Sequence, residues 1–356
     1  MSSLRRYFPI LAFVAVIILV QALTSLTHTR FYLTQLTMTF YYALVVIGLC
    51  LVMGYAGQIS LGHAGFFAMG GYLTSILTTH NVAAEWAPSV RAALKALHVL
   101  VESQDMAGAN ILCFAPWAAG GVAVVATIAV AFILGIPVLK LKGHYLAMAT
   151  LGFGVIVYRV VLGTRLCGEA DGISGIPPFP LFAGLEIGGA ADAKIQNYYI
   201  AAALVVAGMI LLLNLIHSRV GRALRAIHGA EDAANAAGVD TARYKLMAFV
   251  ISAAFAAVAG VGLAHYNGGI GPTEAGIMKS IRYVAIVAVG GMASLWGSLI
   301  MALVLNFLSL RGYFGSYDDA VFGAILILVM MFAPHGILRL PWPALLRRLR
   351  PGKISA

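Results

Sequence analysis

Charge is what this sequence has least of. Asp, Glu, Lys and Arg make up 10% of its 356 residues while 61% are hydrophobic, against about 25% charged residues in soluble domains. So few charged groups could not cover a globule with polar surface, which excludes a soluble enzyme or binding module and leaves a multi-span membrane protein. Cysteine is scarce too: Cys50, Cys113 and Cys167 form no CxxC pair and no metal-ligand spacing. A phosphate-binding loop is also missing. The single Gly-Lys pair, Gly352-Lys353, lacks the upstream glycine and the following Ser or Thr. Any ATP that drives this chain is therefore bound by another one, and neither cofactor nor metal is expected here.

Acids are absent from the apolar runs. All thirteen (Glu85, Glu102, Asp105, Glu169, Asp171, Glu186, Asp192, Glu231, Asp232, Asp240, Glu274, Asp318, Asp319) fall between runs or at their edges. Ion-coupled carriers commonly hold their ion on a carboxylate inside the bilayer, so the pattern speaks against a secondary carrier. The loops show no His/Asp/Glu or Cys/His set either, which speaks against a membrane-embedded enzyme. The net charge of +10 comes from bases placed between apolar runs, not from one basic tract with interleaved aromatics. That placement follows membrane topology, and no nucleic acid is expected as a partner.

What is present is span after span. A crossing needs about 20 apolar residues. Candidates lie near 7–27, 32–53, 62–79, 115–139, 144–163, 197–216, 246–266 and 319–335. The first of these is read as a retained helix, since no cleavage site of the A-x-A kind follows it. The stretch 281–310 is broken at Gly290-Gly291, as one tilted helix or two short ones. Basic clusters at Arg5-Arg6, at Lys140 and Lys142, at Arg219 to Lys245 and from Arg339 to Lys353 share one face only if 281–310 crosses twice. The expectation is an all-α polytopic protein of about ten transmembrane helices, with both termini cytoplasmic by the positive-inside rule.

Residues 54 to 73 read GYAGQISLGHAGFFAMGGYL, six glycines with Gln58, Ser60 and His63 among them. Non-helical backbone is tolerated in a bilayer only when buried in protein or lining a wet path, and transporters place broken helices in corresponding positions of two halves. A second interruption occurs at Gly290-Gly291, and Gly57-x-x-Ser60-Leu61 matches Gly291-x-x-Ser294-Leu295. Two readings stay open for Gly57, Gln58, Ser60, His63, Gly290, Gly291 and Ser294: a translocation path, or helix packing alone. For His63 by itself a structural role is the simpler one.

The loop 217–245 contains a short alanine-rich helix at 231–237, with Glu231 and Asp232 in its first turn where acids complement the helix dipole. Gly238 is expected to end it in a left-handed conformation, and Asp240 to cap the next helix. Asp232-Ala233-Ala234, three residues, then Gly238 resembles the EAA loop of ABC importer permeases, with Asp in place of Glu. The blocks GYAGQISLGHAGFFAMGGYL, LKGHYLAMATLGFG, GISGIP, GRALRAI and YKLMAFVISAAFAAVAG are similar to the LivM-type permease of branched-chain amino acid importers. That resemblance runs from about 40 to 340, with one gap.

The resemblance implies a type II ABC importer permease fold with broken or re-entrant Gly-rich segments. It implies Glu231, Asp232, Ala233, Ala234 and Gly238 as the coupling helix that docks on an ABC ATPase subunit, with two such subunits as partners. It also implies a sister permease subunit, an extracytoplasmic solute-binding protein, and a place in the bacterial inner membrane. Glu169, Asp171, Glu186 and Asp192 surround the GISGIP loop as a candidate dock for the binding protein. Branched-chain amino acids are the implied cargo; urea, amides and other amino acids have similar permeases and stay open. The expected organisation is one permease domain at 1–340, a coupling loop at 217–245, a basic tail at 341–356 and an extracytoplasmic insert at 81–112. In the insert Val90, Leu94, Leu97 and Val101 share one helical face, and Arg91, Lys95, His98 and Glu102 the other, which suits the surface of the lipid bilayer or a partner. A Cys113–Cys167 disulfide is open, both residues falling on the oxidising face.

Overall fold

The computed structural model describes residues 2–81, 91–92, 94–95, 98–104, 110–141, 143–181 and 184–332. The expected helix start at Pro88-Ser89, Lys142, and the bases from Arg339 through the tail at 341–356 lie outside the described residues. The helices are α1 (Ser2–Leu26), α2 (Phe31–Cys50), α3 (His63–Thr79), α4 (Pro116–Val138), α5 (His144–Gly163), α6 (Lys194–His217), α7 (Arg219–Gly229), α8 (Glu231–Ala236), α9 (Thr241–Asn267), α10 (Ile277–Gly290), α11 (Leu295–Leu310) and α12 (Asp318–Phe332). Six segments are long and apolar enough to cross a bilayer: Tyr7–Leu26, Phe31–Tyr55, Pro116–Val138, His144–Gly163, Lys194–His217 and Thr241–Asn267.

These helices divide by how much of themselves they hide. α2 is almost wholly buried and α9 largely so, whereas α1, α4 and α5 leave most of their apolar surface outside the fold. An apolar face needs no protein cover where lipid supplies it. α3 and α9 approach closely: a Cβ on Gly260 would stand 2.0 Å from the Phe67 carbonyl oxygen, and one on Gly70 2.3 Å from that of Ala257. Small residues are what let helix backbones meet in a bilayer, where no hydrophobic force drives them together.

The stretch 281–310 is two helices that reverse direction. α10 starts beside α2 at the end of the fold where α9 finishes; there Tyr266 Oη donates to the Thr34 carbonyl. α11 returns to the same end, where Gln35 Nε2 donates to the Leu310 carbonyl. The two cross at glycine, since a Cβ on Gly297 would lie 1.9 Å from the Gly290 carbonyl oxygen. With 14 and 16 residues they reach only roughly 21 and 24 Å. The turn between them is therefore seated within the protein. It rests on a π-helical turn, Leu51–Tyr55, that ends α2. Cys50 Sγ donates to the Met292 carbonyl and Tyr55 Oη to that of Ala293, so both open carbonyls are satisfied without water.

Where the sequence pattern extends a helix to Val101 and Glu102, the chain instead forms a strand. Leu100–Gln104 pairs antiparallel with Asn110–Phe114. His98 takes a positive φ, +56°, and so breaks the helical path. The amphipathic spacing ran past this point because the alternating residues of a half-buried strand satisfy part of a helical pattern too. The hairpin stays tied to the segment before it by Lys95, which donates to Glu102 at 2.5 Å and holds that carboxyl below its ordinary range. All three cysteines are buried and none is in a disulfide; Cys113 Sγ donates to the Val101 carbonyl across the hairpin. The disulfide left open by the sequence is not formed.

Candidate functional site

At the end of the fold opposite the hairpin, α6 gives way to α7 and α8. Ser218 caps α7, its Oγ accepting from the Val220 amide. Gly221, Leu224 and Ile227 bury one face of α7, while Arg219, Arg222 and Arg225 stay exposed on the other. α8 has the expected stop. Gly238 sits at φ +82, and the amides of Gly238 and Val239 donate to the carbonyls of Asn235 and Ala234, which is the Schellman arrangement. Asp240 then caps α9 by accepting from the Arg243 amide.

The side chains of α8 split in a way the sequence did not show. Asp232, Ala233, Asn235 and Ala236 are exposed, as is Gly238. Ala234 is buried against the rest of the protein. Glu231 turns inward to Lys245, 2.5 Å away and 7% exposed, and Thr241 Oγ1 donates to Asn235 Oδ1. Within the expected coupling set, then, Asp232, Ala233 and Gly238 face outward, while Glu231 and Ala234 anchor the helix from below. An ion pair this enclosed is costly to break from one side, so it fixes the angle at which the outward face is presented.

The two glycine-rich interruptions, separated by more than two hundred residues of sequence, meet. A Cβ on Gly54 would stand 1.5 Å from the Met292 carbonyl oxygen. Gly57 and Gly291 both take positive φ, +68 and +97, and Ser294 caps α11 by accepting from the Gly297 amide. Ser60 and His63 are drawn elsewhere. Ser60 Oγ lies 3.0 Å from His63 Nδ1, and His63 Nε2 lies 2.6 Å from Ser252 Oγ on α9. Both ring nitrogens are thus engaged, and His63 knits α3 to α9. Gln58 differs: it is 3% exposed, and neither of its amide atoms has a partner.

At the hairpin end Glu169, Asp171, Glu186 and Asp192 are all exposed. The GISGIP loop between them is pinned by the pairing of Ile173 with Ile270. It is held also by His265, whose Nδ1 bonds the Pro177 carbonyl at 2.7 Å. Glu186, Pro178, Gly188 and His265 line a cavity of about 280 Å³ beneath the loop.

One group escaped the sequence reading. Glu274, expected in a loop, lies on a 3-10 turn, Pro272–Ala275, that packs against α3, α5 and α10. Its side chain is 16% exposed and stands 3.0 Å from Lys279 Nζ. Tyr42 Oη donates to Glu274 Oε1 at 3.0 Å, and Lys279 Nζ also donates to Tyr42 Oη. The absence of carboxylates from the apolar runs therefore does not mean their absence from the packed interior. The signal available was the acid in PTEAG with a lysine five residues on, at the mouth of a short span. A second cluster pins the same end, where Arg282 Nη2 meets Asp318 at 2.6 Å and Asp319 at 2.9 Å.

Among the described residues no group of three or more His, Cys, Asp or Glu side chains is placed to hold a metal ion. The family model described as branched-chain amino acid transport system / permease component matches residues 31–330. The LivM permease protein of the high-affinity branched-chain amino acid transport system of Salmonella typhimurium is 33% identical over 339 residues, covering 89% of this chain and 72% of the relative. The Escherichia coli K12 LivM protein is 33% identical over 331 residues, 87% and 70% of the two chains. The E. coli K12 LivH permease protein is 28% identical over 313 residues, 84% and 92%. No solved structure matches.

Proposed function

The chain belongs to the permease family of branched-chain amino acid transport systems, and from that premise we propose that it is one permease subunit of an ATP-driven importer for leucine, isoleucine and valine. One of two ATPase subunits docks on the exposed face of α8 and the other on a sister permease that completes the translocation path, and a solute-binding protein delivers cargo at the hairpin end. The observation that carries this reading is α8 itself. It is a six-residue helix, too short to be stable alone, yet it is capped, stopped and braced by Glu231–Lys245 so that small side chains face outward. A plain connector needs none of this. That two permease relatives occur in E. coli K12 supports pairing with a sister chain. Ten membrane helices are proposed: the six long helices with α3 and α12, and the short pair α10 and α11, whose turn stays within the protein.

Purification of the tagged chain from its native membrane is expected to bring down two ATPases and a second permease, and the reconstituted complex with its binding protein to take up leucine only with ATP. A chain that purifies alone and moves leucine without ATP overturns the proposal. Orientation has its own test. Tyr313→Cys, in the exposed turn after α11, is expected to react with an impermeant thiol reagent in intact cells, and Ala226→Cys on α7 only after lysis. Labelling of Ala226→Cys from outside reverses the assignment.

A further inference from the structure

The partly buried Glu274–Lys279 pair lies beside the middle of α2. Tyr42 is the twelfth residue of α2, about 16 Å along the helix from its first residue. Glu274 and Lys279 reach it from the turn before α10 and from its first turn. Glu274 Oε1 accepts from both Tyr42 and Lys279, but Oε2 is buried and has no partner. The hydroxyls of Tyr72 on α3 and Tyr283 on α10 are likewise buried without a partner. Tyr283 is 0% and Tyr72 3% exposed, and Tyr72 packs in one buried cluster with Ala275, the residue next to Glu274. The Tyr283 ring stands 6.3 Å from that of Tyr42. A buried hydroxyl left unsatisfied is costly, and here two of them gather with an unsatisfied carboxylate oxygen around one ion pair.

The geometry points to a binding site for the zwitterionic head of an α-amino acid, formed by Glu274, Lys279, Tyr42, Tyr72 and Tyr283. This deepens the proposed function and rests on it. In the conformation described, the pair is closed on itself. An arriving zwitterion exchanges places with it: the substrate ammonium meets Glu274, whose Oε2 has lone pairs to give. The substrate carboxylate meets Lys279 and the phenol hydroxyls of Tyr72 and Tyr283, which have hydrogens to donate. Because both sign partners arrive in one molecule, no charge is left unpaired during the exchange, and an unpaired buried charge is the state that costs most. Urea or a simple amide brings no charges and leaves the pair closed. The site therefore reads the backbone of the amino acid and leaves discrimination among side chains to the binding protein.

The test uses the full complex in proteoliposomes with its binding protein, and reads leucine transported per ATP hydrolysed. Tyr283→Phe removes one unpartnered hydroxyl and nothing else, so the melting temperature of the complex is expected not to fall, while the transport ratio drops at least roughly fivefold, about 1 kcal/mol of a lost hydrogen bond. Glu274→Gln is expected to drop it at least roughly tenfold. A structural ion pair alone gives a different result: Glu274→Gln lowers the melting temperature, and Tyr283→Phe leaves the ratio unchanged. That result overturns the site. Should Glu274→Gln fail to assemble, Tyr283→Phe decides. Equal uptake of urea and leucine by the unaltered complex also overturns it. A complex that moves no branched-chain amino acid at all overturns the proposed function instead, so the two failures are distinguishable.

Discussion

Ala233→Trp is expected to abolish uptake while leaving the permease folded in the membrane. Ala233 is exposed on α8, so the indole has room in the isolated chain and disturbs neither the Glu231–Lys245 pair nor the capping turn at Gly238. In the assembled importer it stands where the ATPase must approach closely. Overpacking a close contact costs about 1–3 kcal/mol, which is roughly 5- to 150-fold in affinity. Because this chain supplies one of the two docks, an ATPase is expected to wash off during purification, and leucine uptake to fall at least roughly tenfold. Ala234→Trp makes the contrast. Ala234 is buried within the chain itself, so its enlargement lowers the yield of folded permease first. Normal uptake and retained ATPases in the Ala233→Trp chain refute the docking face.

Gly54→Val is expected to remove folded protein altogether. Its Cβ would stand 1.5 Å from the Met292 carbonyl oxygen and 2.5 Å from the carbonyl carbon. A flexible side chain gives way to such an intruder, but backbone that already accepts from Cys50 and Tyr55 does not. The α10–α11 turn has to lift away, and its carbonyls then lie unsatisfied at membrane depth, each costing several kcal/mol. Against a net stability of about 5–15 kcal/mol that is decisive. Gly152→Val on α5, where a Cβ meets nothing within 4 Å, is the matched control and is expected to be recovered at the level of the unaltered chain. A sharp gel-filtration peak at equal yield for Gly54→Val refutes the seated turn.

Much of the fold is legible without coordinates, because its signals are local. An apolar run of sufficient length is a helix wherever it sits, since no neighbour is needed to satisfy its backbone. The end of α8 at Gly238 and the cap at Asp240 follow from a handful of adjacent residues, as does a break at Gly290-Gly291, though not whether the chain reverses there. So does the resemblance that led to the family, carried by five short blocks in order.

What tertiary structure alone decided are the relations between distant segments. The sequence names two glycine-rich interruptions, but only packing makes Gly54 and Met292 neighbours. It names Glu231 and Ala234 in the short helix, but their inward turn depends on Lys245, which α9 brings underneath. Above all it places Glu274 in a loop, and the loop is then folded in against α3 and α5. Hydropathy reports whether a residue sits in an apolar run of chain; burial depends on which other chain segments surround it. A carboxylate can be outside every run and still be enclosed, provided a lysine five residues on and a tyrosine from another helix arrive with it.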